Sequence, residues 1–302
     1  MQEIATNQND EMTTRRLAKL AADPSPAVRA KAYVHPKTSK TAILRAIARE
    51  GNGGLRKLIA ARADLSEKTI KRLLRDRFAT VRAVVAARAD VAENLLTARV
   101  RRRAERDAEP LRAMAERPDA SEKLKLALAE TDLPEPAESL LGRNDLSAGI
   151  LRRLALNPWS RVRELVLARR DAPIEVLRDA GACPNRQERD TAASNPRTPT
   201  DVLADLCFDR DSMIRRSALS NPETPLDSLL NAVLHSNAGT SIAAINAIVR
   251  RHRSAHERLV LRNRLDERLA SRKNDPLRLG LIREEEIQAS LAPHLDGLLS
   301  DR

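Results

Sequence analysis

The feature that most constrains this chain is a repeat. Pairs of a residue followed by arginine recur as Val28-Arg29, Leu55-Arg56, Val81-Arg82, Leu111-Arg112, Val162-Arg163, Glu188-Arg189 and Ile214-Arg215. Their spacings are 27, 26, 30, 51, 26 and 26 residues, and the interval of 51 holds a degenerate unit centred on Pro136-Ala137. The chain therefore reads as eight units of about 26 residues. Fifteen residues after the first member of each pair stands Ile43, Ile70, Leu96, Leu126, Leu151, Leu177, Leu203 or Leu229. One apolar position per unit, always Ile or Leu, marks a face that each unit turns inward.

Within a unit, a short stretch such as Val162 to Ala168 has helical apolar spacing, and a turn then leads into a second helix. In Asn195-Pro196-Arg197-Thr198-Pro199 and Asn221-Pro222-Glu223-Thr224-Pro225 one proline stops the first helix. Thr198 and Thr224 are expected as N-caps of the second helix, with Pro199 and Pro225 at its first position. His35-Pro36-Lys37-Thr38-Ser39 is the same device. Other units use Arg62-Ala-Asp64, Arg88-Ala-Asp90, Arg117-Pro118-Asp119, Arg143-Asn-Asp145 and Arg169-Arg-Asp171, where the arginine caps carbonyls and the aspartate faces helix N–H groups. Such short helix pairs cannot bury an apolar face alone and must stack. The expected fold is all-α, a right-handed α-solenoid on the order of 80 Å long, from roughly 10 Å per layer. Residues 1–20 are expected as an N-terminal tail and cap, 21–233 as the repeats, and 234–302 as a C-terminal helical cap. Within that cap, Ser241 to Arg251 and Ser254 to Lys273 read as longer helices.

The string Asp-Pro-x-x-x-Val-Arg, followed by Asn/His-Pro-x-Thr-Pro and a leucine-bearing helix, resembles the variant leucine-rich repeat family. The resemblance spans 22–233 and is most specific over Asp23-Pro24 to Ile47, Asn157-Pro158 to Leu177 and Asn195-Pro196 to Val233. It implies units that alternate an α-helix with a 3₁₀ or short helix. The Val-Arg element is shared with HEAT-like repeats. Some family members hold an iron–sulfur centre on an N-terminal cysteine cluster; this chain has no cysteine before Cys183, so that role is not carried over and no cofactor is expected.

Composition narrows the function. The 302 residues include only four aromatics, Tyr33, Phe78, Trp159 and Phe208, too few for an aromatic cage or a base-stacking sheet. Met1 to Asp10 is polar and no stretch of 18 apolar residues occurs, so neither a signal peptide nor a membrane span is expected. Cys183 and Cys207 then read as reduced thiols of a cytoplasmic protein. Gly51-Asn-Gly53-Gly54 lacks the Lys-Ser/Thr of a phosphate loop. His252 and His256 have i, i+4 spacing without the glutamate of a zinc protease, and four neighbouring arginines oppose a dication, so no metal is expected.

Charge is unevenly placed. Of a net +12, residues 1–106 carry 24 basic and 11 acidic side chains, residues 107–234 carry 18 and 22, and residues 235–302 carry 12 and 9. The Val-Arg arginines can bridge to an Asp or carbonyl of the next unit, as a structural ladder. What remains is Arg99, Arg101, Arg102, Arg103 and Arg106, in the one interval that is four residues longer than the period, 30 instead of 26, joined by Lys68, Lys71, Arg72 and Arg75. Trp159 beside Arg161 is hot-spot chemistry for binding. These residues point to a non-enzymatic scaffold whose basic N-terminal half binds a polyanion, either sequence-tolerant nucleic acid or an acidic protein. Two alternatives are a general protein-interaction scaffold and a HEAT-like DNA glycosylase with Trp159 and Glu164 beside a damaged nucleotide.

Overall fold

The computed structural model describes residues 13–102, 105–235 and 238–251, with 263, 264 and 267. The described residues are helical throughout, without a strand. After α1, over 13–20, come α2 (Pro26–Val34) with α3 (Lys40–Arg49), α4 (Gly53–Ala60) with α5 (Glu67–Leu73), α6 (Ala79–Ala86) with α7 (Glu93–Arg101) and α8 (Ala108–Ala115) with α9 (Glu122–Ala129). Then follow α10 (Pro134–Leu141) with α11 (Ala148–Ala155), α12 (Ser160–Leu167) with α13 (Ile174–Gly181), α14 (Arg186–Ser194) with α15 (Thr200–Leu206), α16 (Ser212–Ser220) with α17 (Leu226–His235), and finally α18 (Ala238–Arg251). Both helices of each pair are α-helical and seven to ten residues long, so the second helix is the short helix of the two alternatives that the resemblance implied, and not a 3₁₀ helix. Helices this short are marginal alone and persist because stacking buries them.

The chain forms two compact units, Met1–Arg153 and Leu154–Arg302. In the first unit α2, α4, α6, α8 and α10 pack in succession, and α7 packs on α9. In the second, α12, α14 and α16 do the same, and α13 packs on α15. Gly181 permits that last contact, since a Cβ there would lie 2.4 Å from Val202 Cγ1. Helix α18 covers both α16 and α17. It contains the expected 241–251 helix but starts three residues earlier; the expected helix at 254–273 lies outside the described residues.

Ile43, Ile70, Leu96, Leu151, Leu177, Leu203 and Leu229 are all buried, as the repeat predicted. Leu126 is only half-buried, because the pair assigned to the fourth unit is one residue out of register. Leu111, 1% exposed, occupies the arginine position, and Arg112 points outward to Glu116 at 2.7 Å. Counted from Arg117 instead, the Ile/Leu position is Lys125, buried with its Nζ 2.6 Å from Asp145 Oδ2.

Two sets of side-chain bonds join the repeats. In the first, Arg29, Arg56, Arg82, Arg163, Arg189 and Arg215 each donate Nη1 to the carbonyl six residues earlier: Asp23, Glu50, Asp76, Asn157, Cys183 and Asp209, at 2.6–3.1 Å. Each donates Nε forward, to Glu50, Asp76, Glu105, Glu188, Asp209 and Thr240 respectively, at 2.8–3.0 Å. The residue six before each arginine also receives the N–H two residues on, as in Asp23 from Ser25, Glu50 from Asn52 and Asp209 from Asp211. One carboxylate thus fixes a turn and anchors the preceding repeat. Where the arginine is missing, at Leu111 and Ala137, the next position is neutral as well, Thr131 and Asn157. Where Cys183 stands in the acid position, Glu188 takes over the arginine.

The second set caps first helices. Arg62 donates to the carbonyls of Tyr33 and His35, Arg88 to Ala60 and Arg62, Arg117 to Ala86 and Arg88, and Arg143 to Ala115 and Arg117. Asn195 serves Leu167 and Arg169, Asn221 serves Ala193 and Asn195, and Arg251 serves Asn221 and Thr224. These residues cap the preceding repeat's helix end rather than their own, so each cap is also a tie between repeats. Asp64, Asp90, Asp119, Asp145 and Asp171 hold their arginines two residues away and titrate below the usual carboxylate range because of them. The Thr198 and Thr224 hydroxyls donate to the carbonyls of Ala192 and Ala218, both at 2.5 Å, closing the first helix instead of capping the second; Pro199 is the N-cap of α15.

Candidate functional site

Once the two ladders are subtracted, the surface arginines and lysines of the first unit stand out. Helix α5 exposes Lys68, Lys71 and Arg72, and Arg75 and Arg77 follow it. Lys71 is paired with Glu67 at 2.5 Å, with both side chains more than half exposed, an arrangement worth little in water. Arg77 donates to the Gly51 carbonyl at 2.9 Å and its guanidinium lies 4.7 Å from the Phe78 ring centroid. At the end of α7, Arg101 and Arg102 are exposed, and Arg106 is exposed beyond it. Arg103 lies outside the described residues.

Arg99 belongs elsewhere. Its side chain is 15% exposed and its Nη2 lies 3.3 Å from Glu105 Oε2, the carboxylate that Arg82 also engages. Glu105 accepts the Asp107 N–H too, so the acid in this arginine run is spent on the ladder. The longer interval adds three residues, 76 to 105 against the 26-residue period, and exposed Arg101 and Arg102 stand within it.

Sequence reasoning missed Lys40, Arg45 and Arg49, all exposed on α3. Register was the available signal. Arg45 and Arg72 stand ten residues after His35 and Arg62, and Arg49 and Arg75 each precede a ladder acid, Glu50 and Asp76. Second helices α3, α5 and α7 therefore present successive cations in the first unit. The second helices of the other unit carry the opposite sign: α13 exposes Glu175 and Asp179, and α15 exposes Asp201 and Asp205. Arg178 and Asp201 pair across α13 and α15.

In the second unit Trp159 is 53% exposed, beside exposed Arg161. It occupies the N-cap position of α12 without a side-chain capping bond, where Asn52, Asn185 and Asp211 each accept helix N–H groups. Aromatic residues are poor N-caps, and the exchange costs a helix about 1 kcal/mol. The chain is similar to a leucine-rich repeat variant. That solved structure, described as a leucine-rich repeat variant with a novel repetitive protein structural motif, is 22% identical over 78% of this chain and 82% of its own, with a TM-score of 0.42. No protein-family profile matches the sequence, and no curated protein matches it.

Catalytic groupings are sparse. Among the described residues no group of three or more His, Cys, Asp or Glu could hold a metal ion. Cys183 and Cys207 are free thiols, and burial pushes the Cys207 thiol up to about 12, which makes it inert as a nucleophile. Glu164, the candidate glycosylase acid, stands on α12 five residues after Trp159; of the other three aromatics, Tyr33 and Phe78 belong to the first unit, and Phe208 stands two repeats on in the second. His252 and His256 lie outside the described residues. Among the described residues no helix is long and apolar enough to cross a membrane.

Proposed function

We propose that this chain is a non-enzymatic helical-repeat scaffold whose first unit binds an extended polyanion through the exposed cations of its second helices. The helical-repeat fold supports a binding role, since stacked helix pairs offer an extended surface rather than a pocket. One observation carries the polyanion reading: buried arginines have matched acids, while Lys40, Arg45, Arg49, Lys68, Arg72, Arg75, Arg101, Arg102 and Arg106 stay exposed. A chain that pairs its arginines so consistently inside leaves these outside. Backbone contact with nucleic acid needs only such charge and predicts no base preference. Fluorescence anisotropy with a labelled random duplex at 50 and 200 mM salt tests this. Contact with about five phosphates would lower affinity on the order of 10³-fold between the two; affinity that ignores salt, or none at 50 mM, refutes it.

A protein partner is the second reading, favoured by the exposed apolar residues of the second unit. Retention of a partner after nuclease treatment would support it over the nucleic-acid reading.

A further inference from the structure

Some loops that lead from a second helix into the next first helix carry different side chains in the two units. In two repeats of the first unit the residue before the ladder acid is Arg49 or Arg75, and in two others it is Ala22 or Ala104. In the second unit the same position, before Asn157 and Asp209, holds Leu156, 73% exposed, and Phe208, 47% exposed, with Ala182 in the repeat between. Trp159 (53%) and Met213 (46%) lie in the loop or first turn that follows. Residues 154–302 contain two aromatics, Trp159 and Phe208, and both are half out of the core, which is filled by Leu, Val, Ile and Ala. Neither contributes to packing what its size allows, and Trp159 displaces a capping side chain.

Of the acids near Phe208 and Met213, Asp205 is exposed and two are engaged. Asp209 is taken by Arg189 and by the Asp211 N–H. Asp211 is taken by Arg186 at 2.5 Å and by the Met213 N–H. Arg161 and Arg210, next to Trp159 and Phe208 in sequence, remain exposed. Large apolar side chains next to exposed arginines, with Asp209 and Asp211 already engaged, complement a chain that alternates carboxylates with large apolar residues.

We propose that this loop edge, with Leu156, Trp159, Phe208 and Met213 flanked by Arg161 and Arg210, is a docking surface for an extended acidic peptide bearing leucine or phenylalanine. Leu156 and Phe208, two repeats apart, are separated by about 20 Å at roughly 10 Å per layer, a span that an extended peptide of about six residues covers. Anchoring comes from the apolar side chains and orientation from the arginines. The surface belongs to the second unit and does not depend on the cations of the first.

The test uses the full chain and a labelled peptide made of three Asp-Asp-Leu-Phe repeats, against the same peptide with lysine for aspartate and against an oligothymidine of 12 nucleotides. Trp159 is the only tryptophan, so its emission reports the edge directly. The acidic peptide is expected to bind and to shift that emission to the blue, with the lysine peptide at least tenfold weaker. Leu156→Ser with Phe208→Ser should weaken binding at least tenfold at an unchanged melting temperature. Arg161→Glu with Arg210→Glu, which keeps every apolar group, should do the same. An emission shift with oligothymidine and none with the acidic peptide, equal binding of both peptides, or undiminished binding by both double variants overturns the proposal.

Discussion

Arg56 and Asp76, twenty residues apart, form a buried pair in which Nε and Nη2 of the arginine both reach Asp76 Oδ2 while Nη1 holds the Ile47 and Glu50 carbonyls. The side chains are 11% and 0% exposed. Removing one partner of such a pair leaves a buried charge, at a cost of about 3–5 kcal/mol. The chain carries its own neutral version in Leu111 with Thr131. Arg56→Leu alone and Asp76→Thr alone should each lower stability by about 3 kcal/mol, and the double variant by less than their sum, with a coupling of about 1–3 kcal/mol in urea denaturation. Strict additivity would show that the pair does not act as a unit.

The cap relay should be sensitive to a single amide. Asn195 gives its Nδ2 to the Leu167 and Arg169 carbonyls at 2.6 and 2.8 Å. Asn195→Ala strands two carbonyls, one of them in a buried setting, and should cost about 1–3 kcal/mol. Asn195→Arg, which copies the donor used at Arg62 and Arg88, should retain more stability than the alanine variant in thermal denaturation. A larger loss in the arginine variant would show that the two caps are not interchangeable.

The repeat was legible because its apolar positions recur at a fixed spacing and each fills the same slot, as Ile43 and Leu203 do. Legible too was the structural use of the Arg-x-Asp arginines, whereas for the Val-Arg arginines a ladder and an exposed face both stayed open. Their destinations were not, since a guanidinium reaching Glu50 from Arg29 spans 21 residues, and no local pattern says which neighbour it meets. The register slip at Leu111-Arg112 came from matching a residue pair rather than the position six residues after the turn acid Glu105. Thr198 was misplaced because a threonine before proline satisfies the N-cap pattern, whereas its hydroxyl donates to the Ala192 carbonyl six residues behind, which the Asn195 N–H also engages. In the candidate site, Arg101, Arg102 and Arg106 could be read from the longer interval. Arg99 could not be separated from them, because only packing places it beside Glu105.

Stability should fall at both ends of the pH range. Asp64, Asp90, Asp119 and Asp171 titrate below their usual range through their arginines, so the stability they supply is present above about pH 4 and is lost as pH falls through the lowered values. Burial, with Glu50 beside it, pushes Tyr33 up to about 12, and burial pushes Cys207 up to about 12. The folded chain keeps those protons after the unfolded chain has lost them, so stability declines between about pH 9 and 12. Melting temperatures should be level from about pH 5 to 8, and Cys207→Ala should reduce the alkaline decline. Equal melting temperatures at pH 7 and 10.5 in the parent chain would contradict this.

Replacing Trp159 with asparagine should stabilise the fold. Asn52 and Asn185 cap α4 and α14 from the same position, and Trp159 caps nothing with its side chain. Trp159→Asn should raise stability by about 0.5–1 kcal/mol while weakening the acidic peptide measured by anisotropy. A loss of more than about 1 kcal/mol would show that the indole packs the repeat junction instead.

The arginines divide into those that hold repeats together and those that face a partner, and two variants measured side by side test that division. One replaces Arg72, Arg101 and Arg102 with serine; the other replaces Arg56 with leucine. The prediction is a triple variant with an unchanged melting temperature and a random-duplex affinity at least tenfold weaker at 50 mM salt. Arg56→Leu should melt several degrees lower and, while folded, bind the duplex within about twofold of the parent. A triple variant that unfolds, or one that binds as the parent does, would contradict the account.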